Sequence, residues 1–162
     1  MEEIKLLQAI ENDARISIAD LADILNHSEM EVQAELEHLQ AERVICGYHT
    51  VINWDKTSKE KVIALIEVNA IPERECGYDK VAEAIVGFPE VSSLYLMSGS
   101  FEFTVIIKGR TMREVADFVA QKLAPIDGVR GTITHFVMKQ YKVEGIVIGS
   151  DQDEDERLVV TP

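Results

Sequence analysis

The chain has 162 residues, 46% of them apolar and 28% charged, a composition that suits one large or two small globular domains. Its 29 acidic and 16 basic side chains leave a formal net charge of −13, opposite in sign to a domain that holds nucleic acid by its field. Aromatics at 6%, with one Trp, argue against a stacking platform for single strands, and no apolar run approaches the ~18–20 residues of a membrane span.

Residues 1–52 read as a helix-turn-helix domain of three short helices. Ile4, Leu7 and Ile10 recur at helical spacing. Ile18, Leu21, Ala22 and Leu25 fill one face of a second helix, and Val32, Leu36 and Leu39 one face of a third. Ser17 with Asp20, and Ser28 with Glu31, have capping-box spacing and place helix starts at the two serines. Asn26 is a left-handed stop, leaving about three residues between the second and third helices. Val44–Val51 reads as extended, and residues 53–60 as a polar linker.

From Lys59 the period changes. Residues 61–69 are apolar on both faces, Tyr78–Val86 is helical, and residues 91–98 and 101–108 are strand-like runs around a Ser98-Gly99-Ser100 turn. Thr111 with Glu114 caps a helix through Leu123, and Val129–Tyr141 reads as a last strand. The expected fold is therefore α+β: an N-terminal helix-turn-helix, winged-helix-like, then a βαββαβ ferredoxin-like domain over 61–142. Two helices cover one face of such a sheet, so strands apolar on both faces imply a partner on the other, and a homodimer follows. Residues 143–162 read as an acidic tail, with Asp151–Glu156 an unbroken polar run.

A helix-turn-helix followed by βαββαβ at this length resembles the Lrp/AsnC family of transcriptional regulators. The resemblance runs from about Glu2 to Tyr141. It rests on Ile18-Ala19-Asp20-Leu21-Ala22, Val44-Ile45, Phe88-Pro89-Glu90-Val91, Gly99-Ser100-Phe101-Glu102-Phe103, and Gly128 to Thr134 taken in order. It implies an N-terminal unit that binds DNA within a dimer or higher oligomer. It implies a sensor domain of the RAM type for a small-molecule effector, usually an amino acid, and no cofactor.

Two departures bear on DNA. Glu35 stands where the family's third helix typically carries Arg, and Ser28–Glu42 holds five acids and no Lys or Arg. Arginine and lysine supply counterion release at phosphates and the commonest guanine contact, so DNA binding should be weakened. Arg43 replaces the glycine expected at the helix exit, which predicts a different or strained ending. Ser28, Gln33, His38 and Arg43 remain as DNA-contact candidates. The alternative is a ligand-sensing or oligomerising paralogue that acts through a protein partner.

For the effector, the candidates are Ser98, Gly99, Ser100, Glu102, Thr132 and Thr134. Glycine offers a tight turn and close approach, the hydroxyls offer hydrogen bonds, and Glu102 an acceptor for an ammonium group. The same residues also read as an ordinary turn and ordinary β-formers. His27, His38, His49 and His135 share no metal-ligand spacing, so no metal is expected. No catalytic grouping or phosphate-binding glycine loop is visible. Sirohaem-type decarboxylases share the two-domain plan, but Ser93-Leu94-Tyr95 keeps only the tyrosine of their His-Asn-Tyr stretch, so no enzyme is expected. Cys46 and Cys76 form no metal-type pair and the opening residues lack a secretory pattern, so a reducing cytoplasm is the expected location.

Overall fold

The structure, a computed structural model, describes residues 2–59 and 61–148. The chain divides into two compact units, Met1–Val51 and Ile52–Pro162.

The first unit holds helices α1 (Glu3–Asn12), α2 (Ile18–Leu25) and α3 (Glu29–Ala41). Short helices have too few internal hydrogen bonds to stand alone, and these three form by burying Leu6, Leu21, Ala22, Val32, Leu36 and Leu39 together. The serines start α2 and α3 as their spacing requires. Ser17 Oγ accepts from the Asp20 N–H at 3.0 Å, and Ser28 Oγ from the Glu31 N–H at 3.3 Å. Glu31 completes the capping box by accepting from the Ser28 N–H at 2.9 Å. Asn26 ends α2 in the left-handed region (φ 54°), and residues 26–28 make the turn. Beyond α3, residues 46–51 follow an irregular path with no strand.

The second unit opens with a 3₁₀ turn, Trp54–Lys56, capped by Asn53 Oδ1, which accepts from the Asp55 N–H at 3.1 Å. There follow β1 (Val62–Ala70), α4 (Asp79–Val86), β2 (Val91–Leu96), β3 (Phe103–Gly109), α5 (Met112–Phe118) and β4 (Val129–Phe136). The sheet order is β2-β3-β1-β4 with every neighbouring pair antiparallel, the ferredoxin-like arrangement. Alternation along β1 sends Ala64, Ile66, Val68 and Ala70 under the helices, where they meet Val81, Ile85, Val115 and Phe118. Ile63 and Leu65 point to the opposite, half-covered face.

Several boundaries differ from the sequence reading, among them the end of β2 at Leu96 instead of Ser98. β3 begins at Phe103, because Glu102 closes the preceding loop. β4 ends at Phe136 instead of Tyr141: after the Val137 N–H reaches Ile63 O, its partner strand is almost at its start. Residues 143–148, read as the beginning of a tail, instead join Lys142 in a ribbon of β5 (Lys142–Val143) and β6 (Ile146–Val147), followed by Ile148. Glu144 (φ 46°) and Gly145 (φ 80°) supply the two positive φ angles of a tight hairpin turn, and Ile148 is buried. The acidic run Asp151–Glu156 lies outside the described residues.

Candidate functional site

The outer face of α3 is settled by what its inner face buries. With Val32, Leu36 and Leu39 inward, the helical period puts Met30, Ala34, Glu37 and Ala41 on the exposed crest, flanked by Gln33 and His38. Met30 is 79% exposed. Of the five acids, only Glu37 stands on that crest. Glu31 is held in the capping box, Glu29 and half-buried Glu35 flank the packed stripe, and Glu42 caps the C-terminus. Sequence reasoning counted the acids without assigning their faces and so missed Met30 and Ala34. The period of Val32, Leu36 and Leu39 was the signal that finds them.

The four DNA-contact candidates have different surroundings. Ser28 spends its hydroxyl on the cap, since Oγ accepts from the Glu31 N–H and also contacts Glu31 Oε2 at 2.8 Å. Gln33 is exposed but its Nε2 donates to Glu37 Oε1 at 2.7 Å, joining an amide and a carboxylate on one surface. His38 is exposed in the last turn. Arg43 keeps the backbone of the glycine it replaces, with φ 58°. Its N–H donates to Gln40 O at 3.1 Å and the Val44 N–H to Leu39 O at 2.9 Å, the paired bonds of a Schellman ending. The exit therefore has the shape a glycine would take, with a strained residue in it.

The Ser28 amide and hydroxyl hold the Glu31 carboxyl below its ordinary pKa, with a lesser contribution from nearby His27. Charge on Glu31 is thus coupled to the start of the helix that presents the crest.

In the second unit, the β2–β3 loop is closed by the Met97 N–H donating to Glu102 O at 2.7 Å. Glu102 then ties the loop to the end of β1. Its N–H donates to Val68 O at 3.1 Å, and its Oε2 accepts from the Ala70 N–H at 2.8 Å. The carboxylate proposed as an ammonium acceptor therefore already serves a backbone donor. Ser98, Gly99 and Ser100 are exposed. Gly99 has no positive φ, and a Cβ built there meets nothing within 4 Å, so the turn itself does not demand glycine. Gly128 does: at φ 93° a Cβ would lie 2.9 Å from Val81 Cγ2.

Thr132 lies opposite Val68 and Thr134 opposite Ile66. Directly paired residues share a face, so both threonines are on the helix side of edge strand β4. Glu102 approaches β1 from β3, the other side, a separation of two strand spacings or roughly 10 Å. The structure brings Ser98, Gly99, Ser100, Glu102 and Thr132 to one end of the sheet, and leaves Thr134 further along.

The opposite sheet face holds Ile63, Leu65, Ile106, Tyr95 and Ile133, with Tyr95 and Ile133 each 52% exposed. Within it His135 Nε2 lies 3.1 Å from Glu67 Oε1. Among the described residues no group of His, Cys, Asp or Glu is placed to hold a metal ion, and no helix is long and apolar enough to cross a membrane.

Residues 3–45 match the winged helix-turn-helix DNA-binding family, and residues 63–147, just over half the chain, match the Lrp/AsnC ligand binding domain. The chain belongs to the Lrp/AsnC family. Lrp/AsnC chains are DNA-binding transcriptional regulators with a ligand-binding domain, a non-enzymatic class. One relative, the uncharacterised HTH-type transcriptional regulator YugG of Bacillus subtilis (strain 168), is 39% identical over 99% of this chain and 97% of its own. The proline dehydrogenase transcriptional activator of Rhizobium radiobacter is 26% identical over 89% of this chain and 92% of its own. A transcriptional regulator from Neisseria meningitidis in complex with L-Met shares the fold at a TM-score of 0.68 and 20% identity, covering 87% and 90% of the two chains. AsnC of E. coli does so at 0.65 and 18%, over 87% and 93%.

Proposed function

We propose that this Lrp/AsnC regulator works in the cytoplasm as a homodimer or larger assembly that holds DNA through paired α2–α3 units and senses an amino acid. The observation that carries the DNA reading is the shape of α3. It is capped at both ends, has a Schellman exit with Arg43 in place, and presents a crest on which Glu37 is the one acid, with Glu31 at its flank engaged in the capping box. An apolar crest suits contact with thymine methyl groups, while Gln33 offers an amide for adenine. The absence of Lys and Arg on α3 leaves few phosphate partners there, so affinity must come from base contacts and from several helix pairs acting together.

Dimerisation is supported by the open sheet face. Ile63, Leu65 and Ile106 are half-buried there and Ile133 is 52% exposed, so a second copy laid on this face would remove further apolar surface from water. An amino-acid effector is supported by the family's ligand-binding domain and by the Neisseria relative's L-Met complex. The exposed Ser98-Gly99-Ser100 turn beside Glu102 is its proposed site, open to a partner subunit on the outer side.

The test is DNA binding against salt, with the purified protein and a fragment from upstream of its own gene. Specific binding with a shallow slope of log K on log salt is expected. No binding at low salt with the oligomer intact would favour the second reading, a sensor acting through a protein partner. The five acids of Ser28–Glu42 support that reading. A thermal-shift screen of the twenty amino acids tests the effector, since a ligand that binds only the native state raises the midpoint. No shift at millimolar concentration would remove the hairpin from consideration.

A further inference from the structure

In this acidic chain, the end of the sheet where β1 begins is basic. Lys59, Lys61, Lys108 and Arg110 line an open concavity of about 280 Å³, with Gly109 and one carboxylate, Glu114. The β1–β3 register assembles them: Ile63 lies opposite Lys108 and Val62 opposite Gly109. Glu114 is partly occupied, its Oε2 accepting from the backbone N–H of Arg110 at 2.8 Å. Among the described residues none of the four cations is ion-paired with a carboxylate, and Glu60 lies outside those residues. The Lys61 ammonium sits 3.4 Å from the centroid of the Trp54 ring, with Lys59 at 5.9 Å. Burial first, then the charges of Lys59 and Lys108, hold the Lys61 pKa below its ordinary value. Among the described residues the concavity thus sets four cations against one carboxylate, a donor set suited to an anion of high charge.

We propose that this concavity is a phosphate site, formed by Lys59, Lys61, Lys108 and Arg110 and distinct from the hairpin end of the sheet. Phosphate oxygens match the donor set: a guanidinium fork takes two of them, and the ammonium groups act as mobile point charges. A free amino acid does not match, because its own ammonium group would meet three lysines. The phosphate comes either from a DNA backbone or from a free phosphorylated molecule.

Trp54 is the chain's one tryptophan and lies against Lys61, so its fluorescence reports on the site. The full chain is titrated with inorganic pyrophosphate, beside sodium chloride at matched ionic strength. A saturable change in Trp54 emission with pyrophosphate alone is expected. The double variant Lys108→Gln/Arg110→Gln, which keeps the Arg110 backbone bond to Glu114 and should keep the thermal midpoint, is expected to bind roughly tenfold more weakly or worse. An equal response to chloride, no response to pyrophosphate, or an unaltered response in the variant would overturn the proposal. A duplex arm separates the sources. If DNA supplies the phosphate, the variant lowers the salt slope on a duplex by about 0.9 per lost contact. If the duplex slope is unchanged while the pyrophosphate response holds, the source is a free phosphorylated molecule. The pyrophosphate arm stands even if the chain binds no duplex, so failure of the regulator reading and failure of this site are told apart.

Discussion

Arg43 holds a backbone conformation that costs a residue with a Cβ roughly 1–2 kcal/mol, and both helix-ending hydrogen bonds depend on it. Arg43→Gly should therefore stabilise the first unit by about 0.5–1 kcal/mol, part of the relief being offset by glycine's greater chain entropy. Urea denaturation checks this, and a loss of stability would show that the arginine side chain makes up for its backbone. Glu31 gives a second prediction. Its folded pKa lies below the unfolded value, so its contribution is present above the ordinary carboxylate range and is lost as pH falls through the lowered folded value. Wild type should exceed Glu31→Gln in stability at neutral pH, with the gap closing in acid. A gap that persists at low pH would mean that ionisation plays no part in the cap.

At the scale of elements, α3 illustrates how face assignment changes the meaning of composition. Five acids along the helix imply repulsion from DNA, but capping and packing remove all but Glu37 from the crest. Glu37 is thus the residue whose charge should matter. Glu37→Gln is expected to raise duplex affinity without large loss of stability, while Glu35→Gln changes it far less. Filter binding at two salt concentrations checks the pair, and equal effects would sink the face assignment. The βαββαβ order was legible because strand and helix periods differ and Thr111, like the two serines, has an acid three residues on. The ribbon of β5 and β6 was missed because each strand has only two residues, too short for any period to register.

For the whole molecule, the sheet's open face is where the proposed dimer would form. Leu65 is paired with Ile106 and His135, away from the core under the helices, so Leu65→Asp should leave the sensor fold intact. It is expected to convert a dimer to a monomer in light scattering at micromolar concentration, because a carboxylate would be buried at the interface without a partner. A dimer that survives the change would place the interface elsewhere. Charge is also a whole-molecule property here: eleven acids and three bases fall in residues 1–50, while residues 51–149 are nearly balanced. That balance conceals the basic concavity, since a net charge does not say which charges are neighbours.

The sequence by itself determined where α2, α3 and α5 start, where α2 stops, and the order of strands and helices as far as β4. Those features rest on hydrogen bonds between residues three or four apart and on local apolar period, both of which can be read along a line. Only the tertiary structure decided what Glu102 does, because its partner, the Ala70 N–H, is 32 residues away. Strand register likewise put Thr132 and Thr134 on the helix side of β4 and gathered Lys61 with Lys108. Pairing across a sheet depends on which strands lie side by side, and a shift of one residue would turn every side chain to the other face.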